Sequence, residues 1–180
     1  MKTNEEFSGI GIGPEPELGL RVSVAALARV VFRHPETNHL MLVLERKATL
    51  REIENTLNVE VISQPFGGAI RIKDGTEIKN LLRNFHFDSE QSKSEGDFRL
   101  FIRPEDWPRL CKFTVDLLKR EGDTVLETSP ERELAEEFKD ALGIDLNEEK
   151  YLIRPVGINV DDHQTPTRNP RAEGYPCLLY

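Results

Sequence analysis

From Leu20 to Phe32 the chain is apolar at nearly every position and rich in β-branched residues, the pattern of a buried strand. A turn-forming run follows from His34 to His39, and Leu40–Arg46 returns as a second strand, so the two predict a hairpin. Residues 47–60 mix apolar and polar positions without a clean period, and a short helix over Thr49–Leu57 is the expectation. Val59–Gln64 reads as a strand broken by Pro65, with another extended piece after Gly67 and Gly68. A glycine pair in extended chain marks a bulge or a close approach of backbone to a ligand. Further on, Lys79–Phe85 carries helical signals, Asp88–Asp97 is polar enough to predict a mobile loop, and Phe98–Ile102 predicts a short strand. Pro104 and the acids after it open a helix with Leu110, Phe113, Leu117 and Leu118 at helical spacing and Trp107 as its anchor in the core. Tyr151–Val160 predicts a strand interrupted at Pro155, Asp161–Gly174 a polar loop, and Tyr175–Tyr180 a further strand. Residues 1–19 are polar and rich in Gly and Pro, and predict a flexible lead-in.

The most fully specified element is the helix between Thr128 and Gly143. Thr128 with Glu131 fits a capping box, Ser129 followed by Pro130 is an equally good start, and Gly143 supplies a left-handed stop. Leu134, Phe138, Ala141 and Leu142 form one apolar stripe. Glu133, Glu136 and Glu137 share another face, roughly 130° round at about 100° per residue. Like charges one turn apart on a helix repel by a few tenths of a kcal/mol per pair. A hard divalent cation removes that repulsion, because Mg²⁺ and Mn²⁺ prefer oxygen ligands. Two readings are open on the helix alone: a cation site, or a solvated face whose charges pair with Arg132 and Lys139.

Composition narrows the surroundings. The 180 residues suit one domain with a proper core; 38% are hydrophobic and 31% charged, as in ordinary water-soluble chains. A net charge of -8 argues against a binder of long nucleic acid or of a membrane surface. Cys111 and Cys177, without paired spacing, predict a reducing compartment and no structural zinc, so the expected location is the cytoplasm. No apolar run has the length of a membrane span.

The strand hairpin, Gln64–Ala69 with its glycine pair, and the run Arg132-Glu-Leu-Ala-Glu-Glu137 together resemble the Nudix hydrolase family. The family motif is Gly, five residues, Glu, seven residues, then Arg-Glu-U-x-Glu-Glu-x-Gly-U, with U apolar. The resemblance covers most of residues 20–180; the run Arg132–Glu137 matches every specified position, and Gly68 and Glu127 stand for the opening glycine and the isolated glutamate. Three departures accompany it. Residues 74–126 are an insertion where the family has a short loop, four residues rather than seven separate Glu127 from Arg132, and Lys139 holds the place of the last glycine. The combination looks most like the divergent Nudix domains associated with bacterial cyclic-oligonucleotide antiphage defence systems.

The resemblance implies an α/β fold: a Nudix-like α/β/α sandwich with a mixed central sheet, 1–19 as lead-in, 20–180 as the domain, and 74–126 as a cap over the site. It implies Glu133, Glu136 and Glu137 as ligands of Mg²⁺ or Mn²⁺, Glu133 and Glu136 as catalytic groups, and Arg132 as the residue that orients a carboxylate. Glu127, Asp161 and Asp162 are the candidates for an extra carboxylate, with Glu173 beside them; Gly67, Gly68 and Arg71 are candidates for substrate contact, and Arg71, Lys73, Arg168 and Arg171 for phosphates. The implied activity is metal-dependent hydrolysis of a nucleoside-diphosphate-linked substrate. The alternative is a weak or inactive Nudix-fold sensor of a nucleotide second messenger in a defence system. The partner is a nucleotide or nucleoside-diphosphate derivative in either case, and a homodimer is left open.

Overall fold

The computed structural model describes residues 5–53, 56–120, 124–146, 151–161 and 175–179. The apolar run at 20–32 does extend, but in pieces. After β1 (Gly11–Ile12) come β2 (Leu20–Ser23), β3 (Ala25–Ala28) and β4 (Val30–Arg33), with breaks at Val24 and Arg29. They are followed by β5 (Leu40–Val43), β6 (Glu45–Ile53), β7 (Thr56–Gln64), β8 (Phe66–Ala69) and β9 (Arg71–Ile72). Then come α1 (Thr76–Leu81), β10 (His86–Phe87), α2 (Glu90–Glu95), β11 (Arg99–Ile102), α3 (Trp107–Leu118) and β12 (Leu126–Glu127). The order closes with α4 (Glu131–Leu142), β13 (Gly157–Asp161) and β14 (Tyr175–Leu179).

The chain is thus a mixed α/β protein. One four-stranded sheet runs β1-β10-β11-β2 and another β13-β14-β3-β8; in the second, β14 is parallel to β3 while the other pairs are antiparallel. Val24 joins the two. Its N–H donates to Phe98 O at 3.0 Å, and its carbonyl accepts from Ile70 N at 2.9 Å. The break in the run is therefore a change of partner that keeps the backbone hydrogen-bonded, as burial requires.

Two cores result. The larger gathers Val22, Val24, Ile70 and Ile72 with Ile78, Phe85, Phe87, Phe98, Leu100, Ile102, Leu110 and Leu117. The smaller holds Ala28, Phe66, Leu134, Phe138 and Leu146. The insertion 74–126 supplies most of the larger core and one sheet's inner strands, β10 and β11, so it is built into the body of the protein rather than laid over the Glu-rich helix.

The lead-in is docked over residues 5–19. Phe7 and Leu18 are fully buried, and Phe7 packs edge-on against Phe87 with ring centroids 4.9 Å apart. Glu6 accepts from the Gly75 N–H through its carboxylate and from Lys79 Nζ through its carbonyl. Two apolar residues in a Gly- and Pro-rich stretch are enough to seat it once a groove exists for them.

Three local expectations are corrected. The described residues of Thr49–Leu57 are extended rather than helical: β6 and β7 pair antiparallel from Glu45↔Gln64 to Ile53↔Thr56, so pairing along the ribbon prevails over a weak local helix signal. Within Asp88–Asp97 there is a helix, α2, with Ser89 Oγ accepting from Ser92 N at 3.1 Å and Gly96 left-handed at its end. The strand expected over Tyr151–Val160 starts only at Gly157, beyond Pro155. Trp107 opens α3 and packs partly buried on the larger core, and Gly143 ends α4 in the left-handed conformation, both as anticipated. Among the described residues no helix is long and apolar enough to cross a membrane.

Candidate functional site

The site is set by how α4 lies on β8. Leu134 and Phe138 are buried, and the Phe138 ring meets Phe66 of β8 at 4.7 Å between centroids. Burial of such side chains contributes about 1.5–3 kcal/mol each and fixes the rotation of the helix. Glu137 lies one residue, roughly 100°, before Phe138. Its carboxylate is thereby brought to the glycine pair, where Glu137 Oε2 accepts from the Gly67 N–H at 2.7 Å. Gly67 is held at φ +129°, and a Cβ built there would lie 2.1 Å from Ala26 O. A side chain is excluded by the conformation and by the neighbouring strand β3.

Arg132, one turn earlier, ties two more acids together. Its Nε donates to Glu127 Oε2 at 2.9 Å, and its Nη1 donates to Glu136 Oε2 at 3.3 Å. Glu127 comes from β12, directly opposite Arg71 of β9. The contact with Glu127 is the better shielded: the Glu136 side chain is 59% exposed and that of Glu127 22%. The start of α4 differs in detail from the expected caps. Pro130 is the N-cap with no side-chain cap bond, and Ser129 Oγ accepts from the Glu131 N–H at 3.2 Å.

Beside Glu137 opens a cleft of about 680 Å³. Leu44, Phe66 and Leu142 form its apolar wall, and Glu45, Asp140 and Arg46 its polar one. Glu45 and Asp140 escaped the sequence reading. Asp140 follows Glu137 by three positions, the spacing of one helical face, and that signal was present. Glu45 follows the break at Leu44, and Gln64 Nε2 donates to Glu45 Oε2 at 3.1 Å.

The structure therefore brings together Gly67 with Glu137, and Glu127 with Arg132 and Glu136. Glu133 lies on α4, but its side chain is outside the described residues, as are the side chain of Asp161 and the whole of Asp162, His163, Arg168, Arg171 and Glu173. Among the described residues no three acidic, His or Cys side chains converge closely enough to hold a metal ion. Glu136 and Glu137 each offer carboxylate oxygens, the donor type of hard divalent ions, and are engaged separately, Glu136 by Arg132 and Glu137 by the Gly67 N–H.

No protein-family model, curated protein sequence or solved structure matches the chain.

Proposed function

We propose that this chain is a Nudix-type hydrolase that cleaves a nucleoside-diphosphate-linked substrate with Mg²⁺ or Mn²⁺. The observation that carries the proposal is the seating of Glu137 on Gly67, a helix carboxylate anchored at a glycine pair where no side chain fits. In this reading the mixed sheet and helices are the divergent relative of a Nudix α/β/α sandwich. Glu133, Glu136 and Glu137 would hold the cation, which supplies neutralisation of phosphate charge and a water of lowered pKa.

The chain's own residues have separable tasks. Gly67 fixes the direction of the Glu137 carboxylate through a charge-assisted hydrogen bond. Arg132 positions Glu136 by holding Glu127 at the other end of its guanidinium. Glu136, more exposed than Glu127, would be the acid that exchanges a proton with solvent-derived water. The apolar wall of Leu44, Phe66 and Leu142 is suited to a nucleoside. Two cysteines without paired spacing in the sequence favour the cytoplasm.

A sensor of a nucleotide second messenger is the second reading. It is favoured by Glu136 being engaged by Arg132 and by Lys139 in place of the family glycine. Calorimetric titration of nucleoside diphosphate sugars, dinucleotides and cyclic oligonucleotides with Mg²⁺ present, followed by chromatography of each mixture, separates the two. Conversion of a bound compound supports the hydrolase. Tight binding of one compound with every compound recovered intact supports the sensor.

A further inference from the structure

Arg71 carries a charge that the contacts above do not use. On β9 it stands directly opposite Glu127 of β12, and an isolated bridge sets Asp97 opposite it as well. Directly opposed residues of a strand pair project to one face, so these are the acids Arg71 would be expected to meet. Both are engaged by other arginines. Glu127 Oε2 accepts from Arg132 Nε at 2.9 Å, and Asp97 Oδ2 lies 3.2 Å from Arg99 Nη1. Arg71 Nε is shielded from solvent and has no hydrogen-bond partner among the described residues. The residue as a whole is half-buried, and its terminal nitrogens are not among the shielded atoms without a partner, so a ligand meets the guanidinium through them. A charged group with no acid partner among the described residues calls for an anion from beyond them.

We infer that Arg71 is an anion-binding residue that takes a phosphoryl group of the ligand. Its two terminal nitrogens donate side by side to two phosphoryl oxygens, a match that the planar guanidinium fork makes and a lysine ammonium does not. Arg132 is a poorer candidate for this task, because Glu127 and Glu136 already occupy it. Arg71 stands opposite Glu127, which Arg132 of α4 holds, so the Arg71 backbone lies beside the strand that leads into α4. The choice of phosphoryl over other oxyanions rests on the function proposed above; the need of Arg71 for an anion does not.

The test is titration calorimetry of the full chain with inorganic pyrophosphate in excess EDTA, so that no cation takes part. Wild type is expected to bind, and Arg71→Gln and Arg71→Lys each to weaken binding by roughly ten- to a hundredfold. Arg71→Lys keeps the charge and most of the stem, so it reports even where Arg71→Gln fails to fold, and melting curves check both. Arg33→Gln, which removes an exposed guanidinium from the Asn38 carbonyl, is the neutral control. Malonate, a dicarboxylate, is expected to bind at least roughly tenfold more weakly than pyrophosphate. Absence of pyrophosphate binding by wild type, or equal affinity in folded Arg71 variants, overturns the inference, and malonate binding as tightly as pyrophosphate overturns the phosphoryl assignment. Failure of the hydrolase reading looks different. Arg71-dependent pyrophosphate binding without turnover of any nucleotide upholds Arg71 and removes the enzyme, while turnover with Arg71-independent binding upholds the enzyme and removes this role for Arg71.

Discussion

The carboxylate of Glu137 accepts a 2.7 Å hydrogen bond from the backbone nitrogen of Gly67, seventy residues away in the chain. This contact fixes the helix and the glycine pair as one unit. Its cause is the neighbouring Phe138, whose ring lies on Phe66 and so turns the adjoining Glu137 toward the glycine pair.

Gly67→Ala is expected to be severely destabilising, by about 3 kcal/mol or more, because the new Cβ meets a carbonyl oxygen as well as a forbidden φ. Gly143→Ala, at φ +69° with open space around it, should cost only about 1 kcal/mol. Urea unfolding of the two variants measures the difference. Similar losses at both positions would mean that Ala26 does not crowd Gly67.

Arg132→Lys retains a positive charge but loses the fork that holds Glu127 and Glu136 together. Stability should change by no more than about 1 kcal/mol, since the Glu136 arm is largely solvated. Turnover, or nucleotide affinity if the chain is a sensor, should fall at least roughly tenfold. Denaturant midpoints and titrations on the same preparations check the split.

Exchange of residues 74–126 for a short loop should abolish folding rather than alter ligand choice. The segment contributes Phe85, Phe87, Phe98, Leu100, Ile102, Leu110 and Leu117 to the larger core. Circular dichroism and hydrogen exchange of the shortened chain report this; a cooperative melting transition would contradict it.

Acid should weaken the region where β2 meets α2. Burial of Asp88 by itself would raise its pKa, but hydrogen bonds from Ser92, Arg21 and Ser89, with the Arg21 charge, outweigh it and hold the carboxyl below its ordinary value. A folded-state pKa below the unfolded one means that the unfolded chain binds the extra proton. The contribution is therefore complete above the unfolded value, about 3.9, and lost as pH falls through the lower folded value. Asp88→Asn should cost on the order of 1–3 kcal/mol at neutral pH, with the gap to wild type closing below about pH 4. Urea unfolding from pH 7 to pH 3 follows the gap.

Legibility in the sequence followed the range of the interaction. Gly143, the glycine pair and the buried part of the α4 stripe, Leu134 and Phe138, were visible, because capping, periodicity and glycine placement are local; Leu142 of the same stripe is exposed. Ser89 and Gly96 were equally local signals of α2, hidden by the low apolar content between them. The β6–β7 ribbon was not legible because its arms carry no clean apolar–polar alternation, although they are neighbours in the chain, and the docking of Phe7 was not because Phe87 lies far along it. Glu45 entered the site for the same reason. The engagement of Glu136 by Arg132 was foreseen, whereas its sharing with Glu127 through one guanidinium required the fold.

The most direct test is the Mg²⁺- or Mn²⁺-dependent release of nucleoside monophosphate from a panel of nucleoside diphosphate derivatives, comparing wild type with Glu136→Gln and Glu137→Gln. The account predicts that wild type cleaves at least one member only when the cation is present. Each variant should then be slowed at least about a hundredfold while remaining folded. Cleavage that needs no cation, variants as active as wild type, or a panel left wholly intact would contradict it.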